Sequence, residues 1–254
     1  MRVVTYNLFE GAQVTLPLVQ DFAEQQAVDV LCVQEANGWN DGEPSKLEQL
    51  AADTGLSSYV FGNSNTRFKL ATLSRLPIVG SQVHTDGFWH SAIQTTVPFG
   101  DGSLDLWNVH LNPGDEDSRL AEAKLLAEMI DTDKPAIIMG DFNSLSGTDE
   151  HPDQLIADLA VKGIKKFGTD RLRYDVTEYL TAQGFVDVAA AFGARQTTVP
   201  TPANKDMYHA ASMRLDYMFA TASIMPSVTG VAVPKNELTD VISDHYPIVL
   251  TLQG

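Results

Sequence analysis

Val3–Leu8 is a β-branched and aromatic run and predicts a strand at the start of the chain. The period then lengthens. A helix is expected from about Leu16 to Ala27, with Thr15 as its N-cap and Pro17 in the first turn. Val28–Val33 is short and almost wholly apolar, which fits a buried strand. Ser45-Lys46-Leu47-Glu48 forms a capping box, with Leu47, Leu50 and Ala51 on one face and Gly55 as the stop. Segments 58–62, 69–74, 78–84, 91–98 and 103–109 are β-rich and lie between turns.

The opening unit then recurs. Leu104–Val109 predicts a strand, and Ser118 caps a helix whose Ala123, Leu126, Ala127 and Ile130 fall on one face. Pro135–Met139 predicts a second buried strand. Polar residues follow each of the four strands: Asn7, Gln34–Glu35, His110–Asn112 and Asp141–Asn143. Two halves of similar construction are expected, with chemistry at the carboxyl ends of strands, where α/β proteins build their sites. Residues 152–183 predict two helical pieces, 196–205 a Thr/Pro/Asn loop, and Leu215–Ala220 and Tyr246–Leu252 the last strands.

Composition narrows this. The chain has 254 residues, 44% of them hydrophobic, and no linker divides it, so one domain over 1–254 is expected. At this length roughly 70–75% of the unfolded surface is buried on folding. Seventeen basic against 33 acidic residues give a net charge of −16. Such a surface repels polyanions at long range. This argues against a nucleic-acid coat protein or a basic membrane-surface protein, but not against an enzyme that brings a metal ion to a phosphate. Cys32 is the single cysteine, so no disulfide forms within the chain and a cysteine zinc site is excluded. No apolar run has the roughly 18 residues of a membrane span. The N-terminus reads as a strand rather than a signal peptide, which points to the cytoplasm, with a removed leader as the alternative.

Several common sites are missing. There is no G-x-S-x-G elbow and no P-loop. The six histidines form neither H-x-H nor H-E-x-x-H, which disfavours a histidine-rich zinc site. What remains are carboxylates, carboxamides and histidines at strand ends. Glu35 follows a buried strand and needs a partner. Asp141 and Asn143 sit in Gly140-Asp141-Phe142-Asn143-Ser144, where an ordinary Asx turn is the plainer alternative. Asp216 lies inside an apolar strand, where a histidine is a natural donor, and Asp244–His245 precedes the last strand.

In this order these residues resemble the endonuclease/exonuclease/phosphatase superfamily of metal-dependent phosphoesterases. The resemblance runs through Thr5-Tyr6-Asn7-Leu8, Val33-Gln34-Glu35, Leu73–Ile78, Asn108-Val109-His110-Leu111, Gly140–Ser144, Arg214–Tyr217 and Ser243–Ile248. It implies a DNase I-like four-layer α/β sandwich of two mixed sheets face to face with helices outside. It implies Mg²⁺ on Glu35, flanked by Asn7 and Asp244, with Mn²⁺ able to substitute. This oxygen-rich set suits a hard cation. It also implies that Asn143 donates to the phosphate and Asp141 orients or deprotonates the attacking water. His245 would lie on the phosphate, with Asp216 fixing its tautomer, and His110 would face the phosphate as well. Either Asp141 or His245 can serve as the general base.

Substrate lies outside those motifs. The stretch after the Asp–Asn pair, Ser144-Leu145-Ser146-Gly147, departs from AP endonucleases. Met213-Arg214-Leu215-Asp216 departs from inositol-polyphosphate 5-phosphatases. Asn108–Leu111 followed by Arg119 is nearer to deadenylase-like and sphingomyelinase-like members. Asn112, Arg171 and Arg173 are the candidates for substrate contact. The wider cluster of Lys162, Lys165, Lys166, Arg171 and Arg173 reads first as a solvated helical face, and alternatively as a rim for an anionic group beside Phe167 and Tyr174. Tyr208–His209 reads as loop packing within reach of the site, and Trp89–His90 as core. The expected activity is hydrolysis of a small or lipid-derived phosphoester, with duplex nucleic acid disfavoured. A nuclease of the same fold is the alternative, and a catalytically silent binding protein the third possibility.

Overall fold

A computed structural model describes the whole chain, Met1–Gly254. The first half runs β1 (Arg2–Asn7), α1 (Leu16–Gln25), β2 (Val30–Gln34), α2 (Lys46–Thr54), β3 (Ser58–Gly62), β4 (Leu70–Ser74), β5 (Gly80–His84) and β6 (Ala92–Phe99). Next come β7 (Gly102–His110), α3 (Glu116–Met129), β8 (Ala136–Asp141), α4 (Leu155–Val161) and α5 (Asp175–Ala182). The chain ends with β9 (Val186–Asp187), α6 (Val188–Ala191), β10 (Asp216–Ala220), β11 (Val228–Ala232), α7 (Thr239–Ile242) and β12 (Ile248–Leu252).

The strands form two six-stranded sheets, ordered β11-β12-β1-β2-β4-β3 and β5-β6-β7-β8-β10-β9. Both sheets follow one pairing pattern. Each has a single parallel pair at its middle, β1–β2 or β7–β8, and antiparallel pairs elsewhere. The parallel pairs are the two strand–helix–strand units expected from the sequence. Val3, Val30, Leu106, Ile137, Met139 and Leu250 pack between the sheets. Val19, Phe22, Leu47 and Leu50 of α1 and α2 cover the outer face of the first sheet. Leu126, Val176 and Leu180 of α3 and α5 cover the second. The result is a four-layer α/β sandwich of the DNase I-like type. Each fully buried Val or Leu contributes roughly 1.5–3 kcal/mol.

The inter-sheet face is apolar at one end and polar at the other, and strand alternation explains why. Inward positions run Val3, Thr5, Asn7 on β1 and Val30, Cys32, Gln34 on β2. They run Leu106, Asn108, His110 on β7 and Ile137, Met139, Asp141 on β8. The polar end begins with a hydrogen-bonded bridge across the sandwich. Gln34 Nε2 donates to Asn108 Oδ1 at 2.7 Å, and Asn108 Nδ2 donates to the carbonyls of Val33 and Ala71 at 3.1 and 2.9 Å. Beyond this bridge the cleft opens.

Some local expectations are corrected. The capping box at Ser45–Glu48 and the left-handed Gly55 stop are present. The cap of α3 is Asp115, whose side chain accepts from the Ser118 N–H, so Ser118 is inside the first turn. Asp115 directly follows Pro113-Gly114 and immediately precedes the helix, where its carboxylate meets the free N–H groups. Thr15 makes no side-chain cap; its hydroxyl donates to Ile242 O at 2.9 Å. Residues 162–174 form turns between α4 and α5 rather than a helical face. β11 carries no clear alternation because it is a bulged edge strand with one face half-exposed.

Candidate functional site

Three adjacent strands set the centre of the site in register. His110 on β7 pairs with Asp141 on β8, and Asp141 pairs with Asp216 on β10. Gly140 makes this approach possible. Its φ is +147°, and a Cβ there would lie 1.8 Å from the Val109 carbonyl oxygen. Asp141 is 2% exposed, and its two oxygens have separate tasks. Oδ1 accepts the Asn143 N–H at 2.8 Å, holding Asn143 in the left-handed region at φ +52°. Oδ2 accepts from Asn7 Nδ2 at 3.1 Å across the sandwich, and lies 3.4 Å from His110 Nε2 and 3.8 Å from His245 Nε2. Burial opposes ionisation of Asp141, but His245, His110 and Lys166 outweigh it and hold the carboxyl below its ordinary range.

His245 Nδ1 is 2.8 Å from Asp216 Oδ2, which assigns the proton to Nδ1 and turns Nε2 toward Asp141. Burial disfavours a charged ring here, yet the Asp216 and Asp141 carboxylates prevail and push His245 up to about 10. His110 behaves oppositely: burial lowers it to about 4, so the ring is neutral. Its other face stacks on His90, with ring centroids 4.3 Å apart, and Thr66 Oγ1 lies 2.6 Å from His90 Nδ1. His90 is thus a buried wall of the site, whereas Trp89, expected in the core, is 53% exposed at the cleft mouth.

The first sheet supplies the rest. Glu35 leaves β2 with φ +61°; its Oε2 accepts the Glu10 N–H at 2.8 Å and its Oε1 accepts from Asn7 Nδ2 at 3.3 Å. Burial, reinforced by the nearby Asp244 and Asp141 carboxylates, raises Glu35 to about 7. Asp244 Oδ2 lies 3.3 Å from His209 Nδ1, and Ser243 Oγ ties its neighbour to Asn7 O at 2.7 Å. His209, Asp244 and His245 form a buried triad whose ligand atoms all lie within 4.8 Å, a possible metal-binding group. His209 therefore belongs to the site rather than to loop packing alone.

Glu35, His90, His110, Asp141, Asn143, His209, Asp244 and His245 face one cleft of about 830 Å³, lined also by Phe9, Phe68, Trp89, Asn112, Lys166 and Tyr208. Asn7 and Asp216 support it from behind through Asp141 and His245. Asn112 Oδ1 accepts the Gly114 N–H at 2.7 Å, which shapes the rim. Arg171 and Arg173 do not line the cleft. Arg171 is exposed, and Arg173 is engaged by Asp117 and Asp175. The basic residue that does reach the centre is Lys166, only 8% exposed, whose Nζ donates to Asn143 Oδ1 at 2.9 Å. Sequence pattern could not separate Lys166 from its neighbours, because the turn that buries it carries no periodic signature. No helix is long and apolar enough to cross a membrane.

The Escherichia coli protein YbhP, described as uncharacterized, is 26% identical over 177 residues, covering 59% of this chain and 70% of its own. Among solved structures, an AP endonuclease from Archaeoglobus fulgidus aligns over all of both chains at 19% identity and a TM-score of 0.72. The Neisseria 3′ phosphatase NExo, bound to product DNA hairpin, also aligns over both whole chains, at 17% identity and a TM-score of 0.72. An endonuclease/exonuclease/phosphatase from Beutenbergia cavernae has 20% identity and a TM-score of 0.71, with 100% of this chain and 72% of that one covered. At these identities the likeness to the solved structures is one of fold. The match to the Endonuclease/Exonuclease/phosphatase family extends over residues 4–245, nearly the whole chain. The protein therefore belongs to the endonuclease/exonuclease/phosphatase family of phosphoester hydrolases.

Proposed function

We propose that the protein is a divalent-metal-dependent phosphoesterase that hydrolyses a small or lipid-derived phosphoester by attack of water on phosphorus. The observation that carries this is the convergence on Asp141 Oδ2 of Asn7, His110 and His245 at 3.1, 3.4 and 3.8 Å, beside Glu35 at the floor of an open cleft.

Asn7, Glu35 and Asp244 would hold Mg²⁺. The donor chemistry fits: burial, with a smaller push from the Asp244 and Asp141 carboxylates, raises Glu35 to about 7, and a hard cation would offset both. The triad of His209, Asp244 and His245 fits less well, because His245 has its Nδ1 committed to Asp216 and carries a proton. When bound, the ion would polarise a phosphoryl oxygen and offset charge that develops there.

The remaining work falls to the chain. Asp141, kept ionised by its cationic neighbours, orients the attacking water and accepts its proton. His245, kept protonated, donates through Nε2 to the phosphate, and Asp216 fixes its tautomer and stabilises its charge. This favours Asp141 over His245 as the general base. Asn143 Oδ1 is occupied by Lys166 and one Nδ2 hydrogen by the Leu111 carbonyl at 3.3 Å, so its second Nδ2 hydrogen donates to the phosphoryl group. Neutral His110 contributes a second, uncharged donor.

A nuclease of the same fold is the second candidate, suggested by the names of the Archaeoglobus and Neisseria structures. A net charge of −16 weighs against it for duplex substrates. A silent binding protein is disfavoured because each position of the site holds a competent residue. The test is turnover of bis-p-nitrophenyl phosphate, p-nitrophenyl phosphate and a short labelled oligonucleotide, with Mg²⁺ and after chelation. Metal-dependent release from a small ester, abolished by Asp141→Asn, is the expected result. No turnover of any ester under any metal would overturn the proposal.

A further inference from the structure

Buried cations in this molecule come with carboxylates, with one exception. Arg119, fully buried, holds Glu116 Oε2 from Nε and Nη2 at 3.1 and 2.9 Å. Arg214, 3% exposed, holds Asp149 and Asp187 at 2.7 Å each. His245 has Asp216 at 2.8 Å. Lys166, 8% exposed, has no carboxylate within 4.0 Å; its ammonium reaches only the neutral amide of Asn143 and the rings of Phe167 and Tyr208, at 5.0 and 5.9 Å to their centroids. An ammonium so placed has given up water without a carboxylate in contact; the Asp141 charge favours it only from a distance, and an anion in the cleft would complete its coordination.

The turn that carries Lys166 is fixed in place. Ile164 and Phe167 on either side are buried with Leu155, Leu159 and Leu215. Arg119 donates to the Lys166 carbonyl and also to Ser144 Oγ, next to Asn143. The charge is therefore preorganised at the floor of the cleft, on the Asn143 side of Asp141, with the cleft as its one open neighbour.

We propose that Lys166 is a substrate-binding residue whose ammonium takes a non-bridging oxygen of the phosphoryl group in the cleft. This rests on the phosphoesterase proposal above and adds to it the cation that the sequence motifs do not contain. It also explains the direction of the Asn143 amide. With Lys166 on Oδ1 and one Nδ2 hydrogen donated to the Leu111 carbonyl at 3.3 Å, the second Nδ2 hydrogen is the one left for the same phosphoryl group. Lys166 contributes by charge and Asn143 by a directed hydrogen bond, so the two grip different oxygens.

The test is calorimetric titration of inorganic phosphate into the full-length protein at constant Mg²⁺, for wild type, Lys166→Gln, Lys166→Met and Lys166→Arg. The Gln variant keeps a donor for Asn143 Oδ1 but removes the charge. Loss of phosphate affinity by about tenfold to a hundredfold in both the Gln and Met variants, with partial recovery in the Arg variant, is expected for a charge-assisted contact. Unchanged affinity in the Gln variant overturns the proposal, including the case where only the Met variant fails, since Lys166 would then act through Asn143 alone. Wild-type protein that binds no phosphate at millimolar concentration overturns it too. Melting temperatures within a few degrees of wild type identify folded variants, and the Gln and Arg forms decide if Met does not fold. Phosphate titration needs no turnover, so an inactive wild type that still loses phosphate through Lys166→Gln would sink the enzymatic proposal and leave this one standing. Where esters are turned over, Lys166→Gln raises KM more than it lowers kcat.

Discussion

At the scale of single residues, the site is a contest between burial and charge, and its outcome differs for each group. His245 is the clearest case. Asp216 and Asp141 hold it protonated to about 10 although burial works the other way. We expect His245→Ala to lower turnover by roughly 10²–10⁴, the usual worth of an oriented acid or donor. Asp216→Asn should lower turnover in the same direction, and the double variant should lose little more than His245→Ala if the pair acts as a unit. Additive losses would reduce Asp216 to a structural role. The same pair sets a pH dependence. A histidine whose folded pKa lies above its unfolded value near 6.5 stabilises the fold fully below that pH and ceases to do so as pH rises through about 10. Urea titrations should therefore show an alkaline loss of stability that is absent in His245→Gln. Glu35 is the opposite case, a carboxylate raised to about 7 by burial and by its acidic neighbours. Glu35→Gln removes charge where a hard cation would bind, so we expect Mg²⁺ or Mn²⁺ affinity to fall by at least tenfold, measured by titration calorimetry. Unchanged metal affinity would move the ion to other ligands.

At the scale of elements, the site depends on strands that are held at a fixed spacing. β8 lies against β7 closely enough that Gly140 admits no side chain, with a Cβ meeting the Val109 carbonyl at 1.8 Å. Gly140→Ala must spread the two strands just where His110 and Asp141 pair. A destabilisation of about 2–4 kcal/mol in urea unfolding is expected, with a larger loss of turnover than of stability, because Asp141 moves away from Asn7 and His110. A Gly140→Ala protein of wild-type stability and activity would refute this. The same elements show what could be read in advance. The two strand–helix–strand units and the Ser45–Glu48 cap were legible because alternation and caps are local signals, whereas Asn7, Glu35, Asp141, Asp216 and His245 stood out through the resemblance of their motifs to the family. The polar strand ends themselves were legible, since Asn7, Glu35, His110 and Asp141 each follow an apolar run. Lys166, His90 and His209 were not. Their burial follows from which turn or neighbouring strand is packed over them, and nothing within a few residues encodes that. Arg173 misled for a related reason: its partners Asp117 and Asp175 lie 56 residues away and two residues away, and only the first requires the fold.

At the scale of the whole molecule, charge limits what the cleft can accept. The chain carries 17 basic and 33 acidic residues, and its buried arginines are already paired. At the cleft, Arg67 is engaged by Glu10 at 2.5 Å, leaving Lys165 and Lys166 as the basic residues without a carboxylate partner. A bound duplex presents a charge roughly every 1.7 Å along its axis, and each phosphate neutralised by a basic group steepens the salt dependence by about 0.9. One or two such contacts give a shallow slope and little affinity, while the rest of the surface repels the polymer. A small ester asks only that one phosphoryl group meet the site's donors, and the apolar rim of Phe9, Phe68, Trp89 and Tyr208 offers a place for its alcohol. We therefore expect kcat/KM on small phosphodiesters to exceed that on plasmid or duplex oligonucleotide at physiological salt. We expect it to change by less than about threefold between 50 and 200 mM salt with Mg²⁺ constant, where contacts to 6–10 phosphates would cost roughly 10³–10⁵. Efficient duplex cleavage with a steep salt slope would reverse this order, because it would require a line of free cations along the cleft, whose lining offers only Lys165 and Lys166 once Arg67 is engaged by Glu10.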